Sequence, residues 1–365
     1  MTDINTNQDI SDFVKQYGFD AVKDLGVDIR EYPHYKVLNY GIKSPKHHAI
    51  VDQCRALIVD NYGDVLCRSF DRFYNWGEDQ KSNEFDISRA IVQEKLDGSI
   101  IMCWHNKYLH RWNVSTRSMA HAEGETNIGN SFYSIVERAC RGQTDLAIEY
   151  LFFPLNRQYT HIFEITSPEN RIVTPYSEYK LTYLASRCTV SGEYSYFTGY
   201  FKDVGINIPK EYSFSTVDDC IKAAKELPTL EEGYVAKIGD WRIKIKNPSY
   251  LAVATLRMNG AISPRRIARL VFAEDEEEYL QYFPEDRQFF QKYVDAYVEL
   301  KAQLAQAQFN FSNIEDQKEF AVTIKDLPYK HFLFALRAGK NYVSVVDKMT
   351  DESKLNLLER MLEHG

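Results

Sequence analysis

At 365 residues, with 44 % hydrophobic and 14 % aromatic residues, the chain is too long for one ordinary domain and too apolar for a disordered one. Six cysteines lie scattered without a C-x-x-C pair, which argues against a zinc site or a disulfide framework and suits reduced thiols in a cytoplasmic protein; the N-terminus is polar, and no apolar run approaches the length of a membrane span. The net charge of −8 excludes a uniformly basic nucleic-acid-binding surface, leaving only local basic clusters: Lys43, Lys46, His47 and His48 in one loop, and Arg265, Arg266 and Arg269 further on.

In chain order, residues 11–17 predict a short amphipathic helix stopped by Gly18. Residues 35–40 alternate as a strand, and residues 56–60 and 65–69 flank Asn61-Tyr62-Gly63-Asp64 as a hairpin. Residues 91–99 read as a strand, residues 100–104 and 108–115 as a second hairpin, and residues 131–140 as a helix. Strands recur at 161–166, 180–186, 234–238 and 241–246, the last two joined by Gly239-Asp240. Antiparallel strands with a few helices make an α+β domain ending near Tyr250. Beyond it the texture turns helical. Ser263-Pro264 caps one helix, Pro284 opens a longer one with Phe290, Tyr293, Val294, Tyr297 and Leu304 at helical spacing, and Leu355, Leu358, Met361 and Leu362 repeat the pattern. The acidic run Glu274–Glu278 reads as a solvated face.

The chemistry concentrates at Glu94-Lys95-Leu96-Asp97-Gly98. On a strand, period-two alternation places Lys95 and Asp97 on one face, and Gly98 removes the side chain where backbone must turn or approach something closely. Such an arrangement suits attack by an amine on phosphorus. A lysine of ordinary pKa, about 10.4, is a poor nucleophile at neutral pH, so other cations must converge on it. The alternative is a surface lysine before an Asp-Gly turn. The demand for cations is met downstream. In Trp241-Arg242-Ile243-Lys244-Ile245-Lys246, Ile243 and Ile245 face a core while Lys244 and Lys246 share the other face, where an anion would relieve their repulsion. Glu232-Gly233-Tyr234-Val235 enters the partner strand, and Glu164 is the one carboxylate in Phe163-Glu164-Ile165, suited to a ribose hydroxyl or a hydrated metal.

This ordered set resembles the covalent nucleotidyltransferase superfamily of ATP-dependent ligases and mRNA capping enzymes: Lys95-Leu96-Asp97-Gly98 matches motif I, Phe163-Glu164-Ile165 motif III, Glu232-Gly233-Tyr234-Val235 motif IV and Lys244-Ile245-Lys246 motif V. Within it the chain is most similar to the T-even phage RNA ligase 1 family of tRNA-repair ligases, with further matches at Tyr40, Cys54-Arg55, Arg72-Phe73-Tyr74-Asn75, Asn170-Arg171-Ile172-Val173 and Tyr250. The resemblance implies an adenylyltransferase (nucleotidyltransferase) domain over residues 1–254 and a helical C-terminal domain over 255–365 that governs RNA or tRNA specificity. It implies Lys95 as the nucleophile that becomes lysyl-AMP, with Lys244 and Lys246 on the phosphates. Glu164 is expected at the ribose and Glu232 at the metal. Arg55, Arg72 and Arg117 are expected at phosphates or RNA ends, Tyr40, Tyr74 and Val235 around the nucleotide, and Asp97 and Tyr250 in the ligation steps. Arg72 and Ser118 depart from the lysine and glycine usual at those positions. A C-terminal metal ligand has no clean match; Asp275 or Glu277 stands nearest.

The implied activity is that of an ATP-dependent RNA ligase. It would use Mg2+ or Mn2+ and act as a monomer on RNA with 5′-phosphate and 3′-hydroxyl ends, such as cleaved tRNA, in the cytoplasm of a host cell if phage-encoded. The alternatives are a DNA ligase or a capping guanylyltransferase, both expected to follow motif V with a small β-barrel, and an inactive RNA-end-binding protein, for which an intact Lys95, Lys244 and Lys246 would be superfluous.

Overall fold

The structure is a computed structural model describing residues 8–41, 44–78, 80–126, 129–257, 262–274, 276–340 and 342–364. The chain divides into two compact units, one up to Thr255 and one from Leu256. The first unit is built on three sheets. Strands β1 (Val27–Glu31), β2 (Tyr35–Tyr40), β3 (Leu57–Asp60) and β4 (Val65–Cys67) form an antiparallel sheet in that order. After the short β5 (Tyr74–Asn75) come β6 (Ile91–Glu94), β7 (Ser99–Asn106), β8 (Arg111–Thr116), β9 (Tyr159–Thr166), β10 (Lys180–Cys188), β11 (Tyr194–Ser195), β12 (Glu211–Tyr212), β13 (Gly233–Ile238) and β14 (Trp241–Lys246). The second sheet runs β11-β10-β9-β7-β8, and the third runs β12-β6-β13-β14-β5, antiparallel except where β5 joins β14.

The layers follow from the alternation of each strand. Val37 and Ile58 of the first sheet pack on Met102, Trp104, Ile162 and Ala185 of the second. The far side of the first sheet takes the helices Ile10–Asp24 and Ala49–Gln53 through Phe13, Val22, Ile50 and Leu57. The far side of the second takes Phe132–Thr144, Ile148–Phe152 and Thr198–Asp203. The third sheet buries Val92, Ala236, Ile243 and Ile245 against Cys220 and Ala224 of the helix Val217–Glu226, which opens with a Thr216–Asp219 capping box. One face of the third sheet is thus left to build a site.

One expectation is extended and another changes. The first helix does break at Gly18, at φ 79°, ψ 173°, but a second helical stretch then runs on to Asp24, with Val22 beyond the kink buried in the same core as Phe13 and Val14. The strand expected through Lys95 ends at Glu94 and restarts at Ser99 in a different sheet. The six cysteines are unpaired thiols. Among the described residues of the second unit every element is helical, chiefly Pro264–Ala273, Arg287–Asn310 and Asp351–His364; no helix of the described residues is long and apolar enough to cross a membrane.

Candidate active site

Lys95 sits where the chain crosses from the third sheet to the second. Its N–H still donates to Gly233 O at 2.8 Å, the last rung of the β6–β13 pairing. Gly98 then lies so close to β9 that a Cβ there would be 2.3 Å from Ile165 O, and its N–H donates to Glu164 Oε1 at 3.1 Å. Glycine is required here for contact with a strand. Without strand geometry between Lys95 and Ser99, Lys95 and Asp97 do not share a face. Asp97 is only 3 % exposed and accepts from the Val173 and Thr174 N–H groups at 2.8 and 2.7 Å and from Tyr250 Oη at 2.7 Å. It ties the crossing to the segment after motif III and to the helix Pro248–Arg257, which carries Tyr250.

The Lys95 side chain turns to Glu232, with Nζ 2.6 Å from Oε2, while Lys246 Nζ holds the other oxygen at 3.0 Å. Glu232 is therefore clamped by two lysines. Lys244 has no ion pair with any described residue. Burial, then the charges of Arg55, Lys95 and Lys246, lower its pKa to about 8. Burial raises Glu164 to about 7, with Lys95 pulling it down and Glu232 pushing it up. These groups face a cleft of about 1010 Å³ between the second and third sheets, which also takes in Tyr40, Arg55, Arg117 and Val235. Arg117 and Arg72 stack on Tyr40 at 4.9 and 4.4 Å from the ring centre. Arg55 lies 5.0 Å from the Phe73 ring centre, and its buried Nε has no hydrogen-bond partner among the described residues.

Not every expected residue joins this cleft. Arg72 and Tyr74 line an adjacent cavity of about 800 Å³, and the Tyr74 hydroxyl is spent on Asp52 Oδ1 at 2.8 Å. Glu277, in the second unit, is exposed and held by both Arg287 Nη atoms at 2.8 and 2.9 Å. Asp275 lies outside the described residues. Among the described residues no group of three or more His, Cys, Asp or Glu side chains is arranged to hold a metal. The cleft also contains Phe70, Phe73, Gln93, Leu184, Lys237 and Arg242. For Arg242 the signal was available: it precedes Lys244 by two on β14, so the same alternation puts it on the same face. Lys237 likewise follows Val235 on β13. Phe70 and Leu184 carried no such mark, since long-range pairing alone brings them there.

The model of an RNA ligase family, that of the T4 RNA ligase 1 type, matches residues 53–250. A protein of Autographa californica nuclear polyhedrosis virus, assigned as a bifunctional polynucleotide kinase/RNA ligase, is 31 % identical over 361 residues, covering 92 % of this chain and 51 % of its own. The chain thus spans about half the length of that relative. An RNA ligase of Rhodothermus phage RM378 is 25 % identical over 84 % of this chain and 85 % of its own. Among solved structures, an archaeal ATP-dependent RNA ligase is similar at 13 % identity and a TM-score of 0.46, over 86 % of this chain and 76 % of that one. Matched by the family model over more than half of its residues, from the segment before β3 to Tyr250, the chain belongs to the RNA ligase family of the T-even phage RNA ligase 1 type.

Proposed function

We propose that the protein is an ATP-dependent RNA ligase that joins a 3′-hydroxyl to a 5′-phosphate through lysyl-AMP and RNA-adenylate. The observation that carries this is the Lys95–Glu232–Lys246 clamp, set in one cleft with Lys244, Arg55 and Arg117. Lys95 attacks as the free amine, so its ammonium proton must leave first. Glu232 Oε2, bonded to it at 2.6 Å, is the acceptor placed to pass that proton to solvent. The amine nitrogen bonds to the α-phosphorus, the α–β bridging bond breaks, pyrophosphate departs with the electron pair, and the nitrogen releases its second proton to solvent. Lys244, Lys246, Arg55 and Arg117 offset the charge gathered on the phosphate oxygens. In the second step an oxygen of the RNA 5′-phosphate attacks the same phosphorus, the nitrogen–phosphorus bond breaks, and the Lys95 amine regains a proton. In the third a 3′-hydroxyl oxygen attacks the 5′-phosphorus and releases its proton to solvent, the bridging bond to the adenylate breaks, and AMP leaves with the electron pair.

A divalent ion fits Glu164 and Glu232. Two carboxylates face one cleft, and Glu164 is destabilised as an anion by burial and by Glu232, an imbalance that a cation relieves. Hydrated Mg2+ or Mn2+ commonly takes one or two carboxylates, with phosphates and water as its other ligands. When bound it would supply charge neutralisation on the phosphates. The all-helical second unit, among its described residues, supports an RNA ligase over enzymes that follow motif V with a β-barrel. Cleaved tRNA as the substrate, Asp97 and Tyr250 as ligation-step residues, and a substrate-choosing role for the second unit rest on family resemblance. Incubation with α-labelled ATP and a divalent ion should leave label on the wild-type chain and none on Lys95→Ala; label retained by the variant removes Lys95 as the nucleophile.

A further inference from the structure

On the cleft face of the third sheet the registers set three rows. Gly233 lies opposite Lys246, with Lys95 bonded beside it; Val235 lies between Gln93 and Lys244; Lys237 lies between Ile91 and Arg242. Four residues separate the first row from the third, about 13 Å at roughly 3.3 Å per residue. The third row holds two buried cations, neither of them ion-paired with a described residue, although the charge of Glu211 on β12 bears on Lys237. Lys237 is 8 % exposed. Its Nζ lies 4.3 Å from the centre of the Tyr196 ring and makes no hydrogen bond or ion pair with any described residue. Arg242 stacks between Phe70 and Tyr194, 4.7 and 4.1 Å from their centres, and donates to Asp240 O and to the Tyr196 hydroxyl at 3.0 and 3.1 Å. A buried ammonium with no hydrogen-bond or ion-pair partner among the described residues costs stability, so its retention in a cleft wall points to an acceptor on a ligand.

The identity of that acceptor rests on the function proposed above. With the α-phosphorus at Lys95 and Lys246, the β- and γ-phosphates extend by only two bridging links and stop short of the third row. Ribose and base together reach it. On the way, Val235 and Leu184 face the cleft from opposite sheets, an apolar slot for a flat ring. Beyond the slot stands a donor. Purines carry an N7 acceptor, and pyrimidines have none. We propose that Lys237 donates a hydrogen bond to N7 of the purine base of the nucleotide, and that Arg242 is a positioning residue that fixes Tyr196 beneath the Lys237 ammonium. Burial, then the charge of Arg242, lower Lys237 to about 8, which leaves it mostly charged at neutral pH.

The probe is 7-deaza-ATP, which lacks only that acceptor. Self-adenylation and equilibrium nucleotide binding of the full chain are measured in parallel with ATP and with 7-deaza-ATP. For the wild type we expect KM and Kd to rise about tenfold with 7-deaza-ATP, the loss of one hydrogen bond from a charged donor, with kcat unchanged. Lys237→Met should bind ATP as weakly as the wild type binds 7-deaza-ATP and no longer tell the two apart, and Lys237→Arg should restore part of the difference. Equal use of both nucleotides by the wild type overturns the assignment, as does a Lys237→Met variant that still discriminates or that loses kcat rather than KM. If Lys237→Met does not fold, the wild-type comparison decides alone. N7-dependent binding without lysyl-AMP would sink the ligase assignment and keep the subsite; lysyl-AMP with N7-independent binding would do the reverse.

Discussion

At the scale of single residues the cleft contains groups whose charge the fold opposes. Glu164 titrates near 4.5 when unfolded and near 7 when folded. Between those values the native state holds a proton that the unfolded chain has released, so stability falls as pH rises through that window and the penalty is complete above it. Glu164→Gln keeps an acceptor for the Gly98 N–H and removes the penalty. It should raise the thermal midpoint of the ligand-free protein by a few degrees above neutrality and leave it unchanged below pH 4.5. A shift of the same size at both ends would mean that Glu164 is not buried as an acid. Lys95→Ala should lose lysyl-AMP and the joining of 5′-phosphorylated RNA, yet still seal RNA supplied with a 5′-adenylate, because the third step needs no lysine. Loss of sealing on the pre-adenylated substrate would give Lys95 a second role.

At the scale of elements, β14 separates chemistry from packing in alternate residues. Ile245 is 3 % exposed in the core shared with the helix Val217–Glu226, so Ile245→Ala should cost about 2–5 kcal/mol of stability while the folded fraction still takes label. Lys244 is a half-buried cation whose pKa is held near 8. Its charged form costs stability at neutral pH, so Lys244→Ala should keep or raise the thermal midpoint while labelling falls by orders of magnitude. Circular dichroism and label transfer on both variants check the pair, and the same loss of label in both would dissolve the division. The alternation of Ile243, Lys244, Ile245 and Lys246 is local, and this is why it was legible in the sequence; it would equally have pointed to Arg242 and, on β13, to Lys237. The Lys95 crossing was not legible. Nothing in Lys95-Leu96-Asp97-Gly98 says that β6 and β7 belong to different sheets, or that Asp97 is consumed by Val173, Thr174 and Tyr250. Those partners lie far along the chain, beyond any periodicity. The helical stretch beyond Gly18 was not legible for a related reason, since nothing local says that burial further on restarts a helix that a glycine has ended.

At the scale of the whole molecule, every residue of the cleft belongs to the first unit, and Tyr250, which braces Asp97, lies in the helix Pro248–Arg257. A fragment ending just after Arg257 keeps that brace and should contain the chemistry of lysyl-AMP formation. In the second unit the helices Pro264–Ala273, Arg287–Asn310 and Asp351–His364 pack on one another. Arg265, from its basic cluster with Arg266 and Arg269, is ion-paired with Glu352 of the last helix, so that cluster is less cationic than the sequence suggests. If this unit nevertheless grips the RNA backbone, removing it should flatten the fall of RNA affinity with rising salt, because fewer phosphates are neutralised. The fragment should therefore take label from ATP and seal a plain single strand, bind RNA with a shallower salt slope, and lose preference for a nicked tRNA over that strand. Gel-shift titrations over a range of salt, beside labelling of the same preparations, test both halves of the claim. A folded fragment that cannot form lysyl-AMP would place part of the first step in the helical unit. A fragment that labels normally and keeps the full salt slope would place all of the RNA grip on the first unit, leaving the helices another purpose.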